Sequence, residues 1–214
     1  MYNIPSTFRC VDHPLIKNKI SLLRRKSTGQ KECRELIYEI TLLLVYEATR
    51  DLALTTTTIE TPLESFTAPC LPEMNKPVIV PILRAGLGMV DAFLTLIPEA
   101  RVGHIGLFRD EHTLQHHQYY FKIPKDSANS RIFVCDPMLA TGGSVSAAIH
   151  QLKECQVFDI VFVCIVAAPE GVQYLTTEHP ELPIYTASLD RQLNDHGYIL
   201  PGLGDAGDRL FGTI

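Results

Sequence analysis

The sequence has no excess of positive charge: 19 Lys and Arg stand against 24 Asp and Glu in 214 residues, a formal net charge of −5. Proteins that grip a phosphate backbone or an acidic membrane surface rely on the opposite balance. Those roles are excluded, and neither nucleic acid nor membrane is an expected partner, although a local basic pocket for a small polyanion is still possible. Long apolar runs are missing too. Nothing approaches the ~20 apolar residues of a membrane span, and Met1-Tyr-Asn-Ile-Pro5 lacks the basic and apolar regions of a secretory leader. The expected compartment is the cytoplasm. The six cysteines (Cys10, Cys33, Cys70, Cys135, Cys155, Cys164) show no paired spacing and no C-x-x-C, so neither zinc nor a redox dithiol is indicated. Internal repeats, low-complexity tracts and linkers are absent as well. What remains is a folded chain, 46% hydrophobic and 20% charged with both signs mixed, and long enough for one domain over residues 1–214.

From Pro77 onward the chain has a rhythm. Apolar runs at 78–83, 102–108, 132–135, 159–167 and 184–187 alternate with stretches of helical periodicity. Several runs are apolar throughout, so the fold class is α/β: a Rossmann-like parallel sheet flanked by helices on both faces. Pro81 predicts a bulge or a missing ladder bond in the first strand, and Cys135 and Cys164 read as small buried hydrophobes. Ahead of the rhythm, residues 33–54 hold the longest amphipathic helix. Residues 17–25 form a short helical pattern whose basic face is expected to be solvated. Residues 55–72 are expected to be an irregular extended connection. The insertion at 109–130 breaks the rhythm, and Gln118-Tyr-Tyr-Phe-Lys-Ile123 suits the return strand of a hairpin. Such a hairpin is either a lid that excludes water or plain surface.

Ligands of open α/β sheets sit beyond the carboxyl ends of the strands, where Arg84, Arg109, Asp136 and Ala168 are predicted to fall. The run Ile132-Phe-Val-Cys135 leads through Asp136-Pro-Met-Leu-Ala-Thr-Gly-Gly-Ser144 into a helical pattern. Strand, small-residue loop and helix together make an anion site: Gly142 and Gly143 free the backbone N–H groups, and Thr141 and Ser144 add hydroxyls. No Lys follows the glycines, which excludes a P-loop. Arg84, between an apolar strand and two glycines, suits a pyrophosphate or a rim salt bridge; Arg109 suits phosphate or a solvated charge run. No helix register holds His112, His116 and His117 and the loop is polar, so no rigid scaffold fixes them and no metal site is assigned. Near residue 200, Gly202-x-Gly204-x-x-Gly207 matches a dinucleotide fingerprint only literally, since that motif needs a strand before it, a helix after it and an acid about 20 positions on, and the chain stops at Ile214. A glycine-rich loop that brings backbone N–H and C=O groups against a flat ligand fits residues 197–212 better.

Taken together, Val80-Pro-Ile-Leu-Arg-Ala-Gly-Leu-Gly-Met89, Asp136-Pro-Met-Leu-Ala-Thr-Gly-Gly-Ser144, Val166-Ala-Ala-Pro-Glu-Gly171 and Tyr198-Ile-Leu-Pro-Gly-Leu-Gly-Asp-Ala-Gly-Asp-Arg209 make the chain resemble the uracil phosphoribosyltransferases, of the type I phosphoribosyltransferase fold. The resemblance implies transfer of the phosphoribosyl group of phosphoribosyl pyrophosphate (PRPP) to N1 of uracil, giving UMP and pyrophosphate. It places PRPP on Arg84, Arg109, Asp136, Pro137, Met138, Leu139, Ala140, Thr141, Gly142, Gly143, Ser144 and Asp205. Uracil falls on Tyr198, Ile199, Gly204, Asp205 and Ala206, and catalysis on Arg84, Arg109, Asp136 and Asp205. It further implies Mg²⁺ held mainly by PRPP and water, a homodimer or larger assembly, and GTP as a possible activator. Members often carry proline after the lid's Arg-Asp, where this chain has Glu111-His112. The rival reading is a PRPP-fold regulatory or nucleotide-binding protein without catalysis.

Overall fold

The computed structural model describes residues 6–109 and 116–213, the side chains of Arg109 and His116 excepted. In chain order the elements are β1 (Phe8–Cys10), α1 (Pro14–Leu23), α2 (Gln30–Ala48), β2 (Thr55–Glu60), β3 (Ser65–Cys70), β4 (Val78–Leu83), α3 (Leu87–Leu96), β5 (Arg101–Val102), β6 (His104–Arg109) and β7 (His116–Lys122). They continue with β8 (Ile132–Cys135), β9 (Met138–Leu139), α4 (Gly143–Glu154), β10 (Ile160–Ala167), α5 (Pro169–Glu178), β11 (Ile184–Leu189), β12 (Gln192–Leu193), β13 (Ile199–Leu200) and α6 (Ala206–Phe211). The main sheet runs β1-β11-β10-β8-β4-β6-β7, with β5 beside β4 and β9 beside β10. Every pairing in it is parallel except β6–β7.

Alternate residues of the apolar strands serve two cores. Ile79, Phe133, Cys135, Val161, Val163 and Ile165 pack under α1, α2, α3 and α6. Val78, Val80, Ile132, Val134, Phe162 and Cys164 face α4 and α5. Covering both faces is why these strands carry no polar alternation. Truncating a fully buried ring such as Phe133 would cost roughly 3–5 kcal/mol. Burial also pushes the Cys135 thiol well up and that of Cys164 to about 12. Pro81 lies where β4 loses its partner on one side: β5 pairs through Ile79, and β6 resumes at Ile82. The predicted strand 102–108 is accordingly split at Gly103.

Three expectations are corrected. Residues 55–70 are not an irregular connection but a regular antiparallel ribbon, β2–β3, registered from Thr55↔Cys70 to Glu60↔Ser65 and largely exposed. The basic face of α1 is not wholly solvated. Arg24, just past its end, forms a two-pronged salt bridge with Asp190, whose side chain is 2% exposed. The stretch 197–212 is only partly loop, since α6 occupies its second half. Smaller differences are those of boundary: the amphipathic helix spans Gln30–Ala48 and leaves Leu52 beyond it.

Candidate functional site

The chain passes from β4 outward to β6, returns to β8 on the other side of β4, and then continues through β10 to β11. The order therefore reverses between β4 and β8, and the crevice beyond their carboxyl ends is the switch point where such sheets bind ligands. Arg84 follows β4 and Asp136 follows β8, so the fold delivers both to this crevice. The turn after Arg84 runs close to β8: a Cβ on Gly86 would lie 2.5 Å from the Cys135 carbonyl oxygen. Arg84 keeps 56% of its side chain exposed and reaches Asp208 only at 3.6 Å, so its guanidinium is available to an anion. Its peptide with Leu83 is cis, as is Leu200–Pro201.

Asp136 is partly accessible, and its Oδ1 accepts a hydrogen bond from Met138 N at 3.1 Å. Desolvation, with a smaller contribution from the charge of Asp205, raises its carboxyl to about 7. Pro137 to Leu139 do not hang free over the crevice. Pro137 O accepts from Ile165 N and Val166 N at 3.0 Å, and β9 pairs with the end of β10. Leu139 is fully buried, so any ligand contact at this position is made by backbone. Gly142, at φ 86°, turns the chain into α4, with Thr141 exposed and Gly143 and Ser144 half-buried at its start. The first turn of α5 closes the other side of the loop: a Cβ on Gly171 would sit 2.2 Å from Ala140 O.

The second wall is the hairpin β12–β13, registered Gln192↔Leu200 and Leu193↔Ile199. Asn194 shapes its tip, its Oδ1 accepting from His196 N and Tyr198 N. Gly197 there approaches Thr141 of the 136–144 loop, a Cβ lying 3.9 Å from Thr141 Cγ2. Tyr198 is 48% exposed, whereas Ile199 is buried in the core and can offer only its backbone. Gly204 and Asp205 are exposed and Ala206 is buried. Asp205 also caps α6, its Oδ1 accepting from Asp208 N at 2.9 Å.

Behind this wall lies a set of contacts that sequence reasoning missed. Gly202 donates its N–H to Asp190 at 2.9 Å, and its carbonyl accepts from Arg24 at 2.6 Å. Arg209 donates to Leu23 O, Leu203 O and Arg25 O. Arg24, Asp190 and Arg209 thus tie the glycine-rich loop to α1. A separate concavity of about 590 Å³, between α2, α3 and α6 and lined by Arg34, Tyr38, Leu87 and Phe211, contains none of the loop donors and is not the candidate site.

These pieces agree with what the sequence matches. The family model described as uracil phosphoribosyltransferase covers residues 10–213. The chain belongs to the uracil phosphoribosyltransferase family. A uracil phosphoribosyltransferase of Lactococcus lactis subsp. cremoris is 57% identical over 210 residues, covering 97% of this chain and 99% of the relative. One of Enterococcus faecalis is 55% identical over 206 residues, covering 96% and 98%. Among solved structures, a protein of Aquifex aeolicus is 36% identical with a TM-score of 0.91, covering 96% of this chain and 98% of its own. An adenine phosphoribosyltransferase of Trypanosoma brucei, solved with AMP, pyrophosphate and ribose-5-phosphate, shares the fold at 14% identity and a TM-score of 0.58, covering 93% and 88%.

Of the residues expected to form this family's site, Arg84 and Asp136 follow the paired strands β4 and β8, the hairpin tip at Gly197 approaches Thr141, and a Cβ on Gly207 in α6 would lie 3.7 Å from the Arg84 guanidinium. Arg109 ends β6, opposite His116, at the mouth of the β6–β7 hairpin. The tip that follows, residues 110–115 with Glu111 and His112, lies outside the described residues. His117 packs against Phe108 at 5.5 Å. Among the described residues no cluster of three His, Cys, Asp or Glu is placed to hold a metal, and no helix is long and apolar enough to cross a membrane.

Proposed function

We propose that this crevice transfers the 5-phosphoribosyl group of PRPP to N1 of uracil, releasing pyrophosphate and forming UMP, a step of pyrimidine salvage. The observation that carries the reading is the meeting of Arg84, Asp136 and the Gly142 turn at one switch point, with Gly197 at the hairpin tip set against Thr141. In this reading, backbone N–H groups of residues 141–144 and the hydroxyls of Thr141 and Ser144 hold the 5-phosphate at the start of α4. The carboxyl of Asp136 faces the ribose hydroxyls. Arg84, joined by Arg109 from the hairpin, takes the growing negative charge of pyrophosphate as the anomeric carbon becomes oxocarbenium-like. Backbone groups of Ile199 and residues 204–206 match the alternating donors and acceptors of uracil. Cytosine, whose exocyclic amine reverses one position, would leave buried groups unpaired. The β6–β7 hairpin excludes water, which would otherwise hydrolyse PRPP.

Mg²⁺ would be held mainly by the oxygens of PRPP and water, with the Asp136 carboxyl at the end of β8 a hard oxygen donor beside them. When bound with PRPP, the ion would supply positive charge to the pyrophosphate. Exposed Ile59, Leu63 and Phe66 on the β2–β3 ribbon support a homodimer or larger assembly. GTP activation and a cytoplasmic location complete the reading. The test is UMP formation from PRPP and labelled uracil with Mg²⁺, run with and without GTP and beside cytosine, hypoxanthine and orotate, on protein sized by ultracentrifugation. Turnover confined to uracil is expected. Tight PRPP binding without conversion of any base would instead favour a regulator.

A further inference from the structure

The helix α5 begins Pro169-Glu170-Gly171, and the phosphoribosyl-transfer scheme gives its glutamate no task. The side chain of Glu170 nevertheless joins the two walls of the crevice. Its Oε1 accepts a hydrogen bond from Leu193 N at 3.1 Å, so it holds β12, the first strand of the base-facing hairpin. The next residue, Gly171, is the one whose missing side chain lets α5 sit against Ala140 of the phosphate loop. Leu193 in turn pairs with Ile199, and the hairpin tip reaches Thr141 through Gly197. One carboxylate therefore spans from the phosphate-binding side to the base-binding side.

The other oxygen, Oε2, is shielded from solvent and has no hydrogen-bond partner among the described residues. We propose that Glu170 is a positioning residue that registers the base-reading hairpin on the 136–144 loop through its bond to Leu193 N. It acts through the Leu193 N–H and touches no reacting atom. Loss of the Glu170 contact would leave PRPP held by residues 136–144 but let the uracil-facing backbone of 198–206 drift relative to the anomeric carbon, and misplacement of that kind raises KM for the base.

The proposal rests on the uracil reading, and two measurements separate the failure of one from the failure of the other. The first is amide hydrogen exchange on the unliganded protein, which needs no activity. Glu170→Ala should speed exchange across residues 192–200 by about tenfold, the scale of losing one hydrogen bond to a charged acceptor, while leaving α4 and the sheet unchanged. The second is steady-state kinetics with PRPP saturating. Glu170→Ala should raise KM for uracil by about tenfold with the dissociation constant of PRPP moving less than about twofold. Glu170→Gln keeps an acceptor for Leu193 and should recover most of the loss. Unchanged exchange at 192–200, or equal loosening of the whole protein, overturns the positioning role. So does a KM for uracil that is unaltered in an active Glu170→Ala enzyme. If the unaltered protein converts no uracil, the base reading fails by itself and the exchange result still decides the link between hairpin and loop.

Discussion

Arg84 is held so loosely that its removal separates function from stability. Its 3.6 Å contact with Asp208 is exposed, and pairs of that kind contribute little. Arg84→Ala is expected to change unfolding free energy by less than about 0.5 kcal/mol while lowering kcat/KM at least tenfold, an effect of about 1.4 kcal/mol. Kinetics with PRPP varied and urea unfolding on the same sample check both halves. Gly171→Ala should do the reverse. Its Cβ would meet backbone at 2.2 Å, and neither α5 nor the strapped 137–140 segment can give way, so a loss of about 1–3 kcal/mol is expected in urea unfolding, with a raised KM for PRPP. Arg84, Asp136 and the Thr-Gly-Gly-Ser turn were legible because small residues and a charge at the end of an apolar strand have few other uses. Glu170 was visible only as part of a string, and Arg24 not at all. A surface arginine carries no mark of a partner 166 positions away.

The elements that position the site were legible in kind and less so in extent. Both the parallel strands and the hairpin return were announced by apolar runs, yet β2–β3 was missed. Its Thr55–Glu60 run is β-branched, and the four residues before Ser65 are enough for a turn. Pro69 lies within β3, where on a two-stranded ribbon every strand is an edge and proline is tolerated. Behind the glycine-rich loop, Arg24→Ala would leave the buried Asp190 carboxylate with Ser188 Oγ and Gly202 N as its partners among the described residues. A loss of about 3 kcal/mol is expected, together with a raised KM for uracil, and urea midpoints and kinetics test this. On the opposite face, α4 and α5 are joined by buried His179. Its Nε2 meets Ser146 Oγ at 3.0 Å and its Nδ1 meets Lys153 Nζ at 3.1 Å, with His150 edge-on. Burial first, then the charges of Lys153 and His150, hold His179 below its ordinary value. The unfolded chain takes up the proton first as pH falls, so the stability this group contributes is whole above about 6.5 and is lost as pH drops toward the folded value. His179→Gln should flatten the decline in melting temperature between pH 7 and 5.

Across the whole molecule, the switch point could be anticipated from strand order but not its closure, because closure depends on contacts between distant segments. Arg24 meets Asp190 and Gly202, and Arg209 meets Leu23, at separations of 166, 178 and 186 residues. Such contacts form only after long loops close, and their entropic cost is met late in folding. A chain made from its N-terminus exposes α1 early and then builds sheet and helices as they emerge. The base-facing wall has nothing to fasten until residues 190–209 have left the ribosome. In the proposed reading, a nascent chain arrested before that point is expected to hold the 136–144 loop but no seat for the pyrimidine, so a half-made chain would hold PRPP without the base that consumes it.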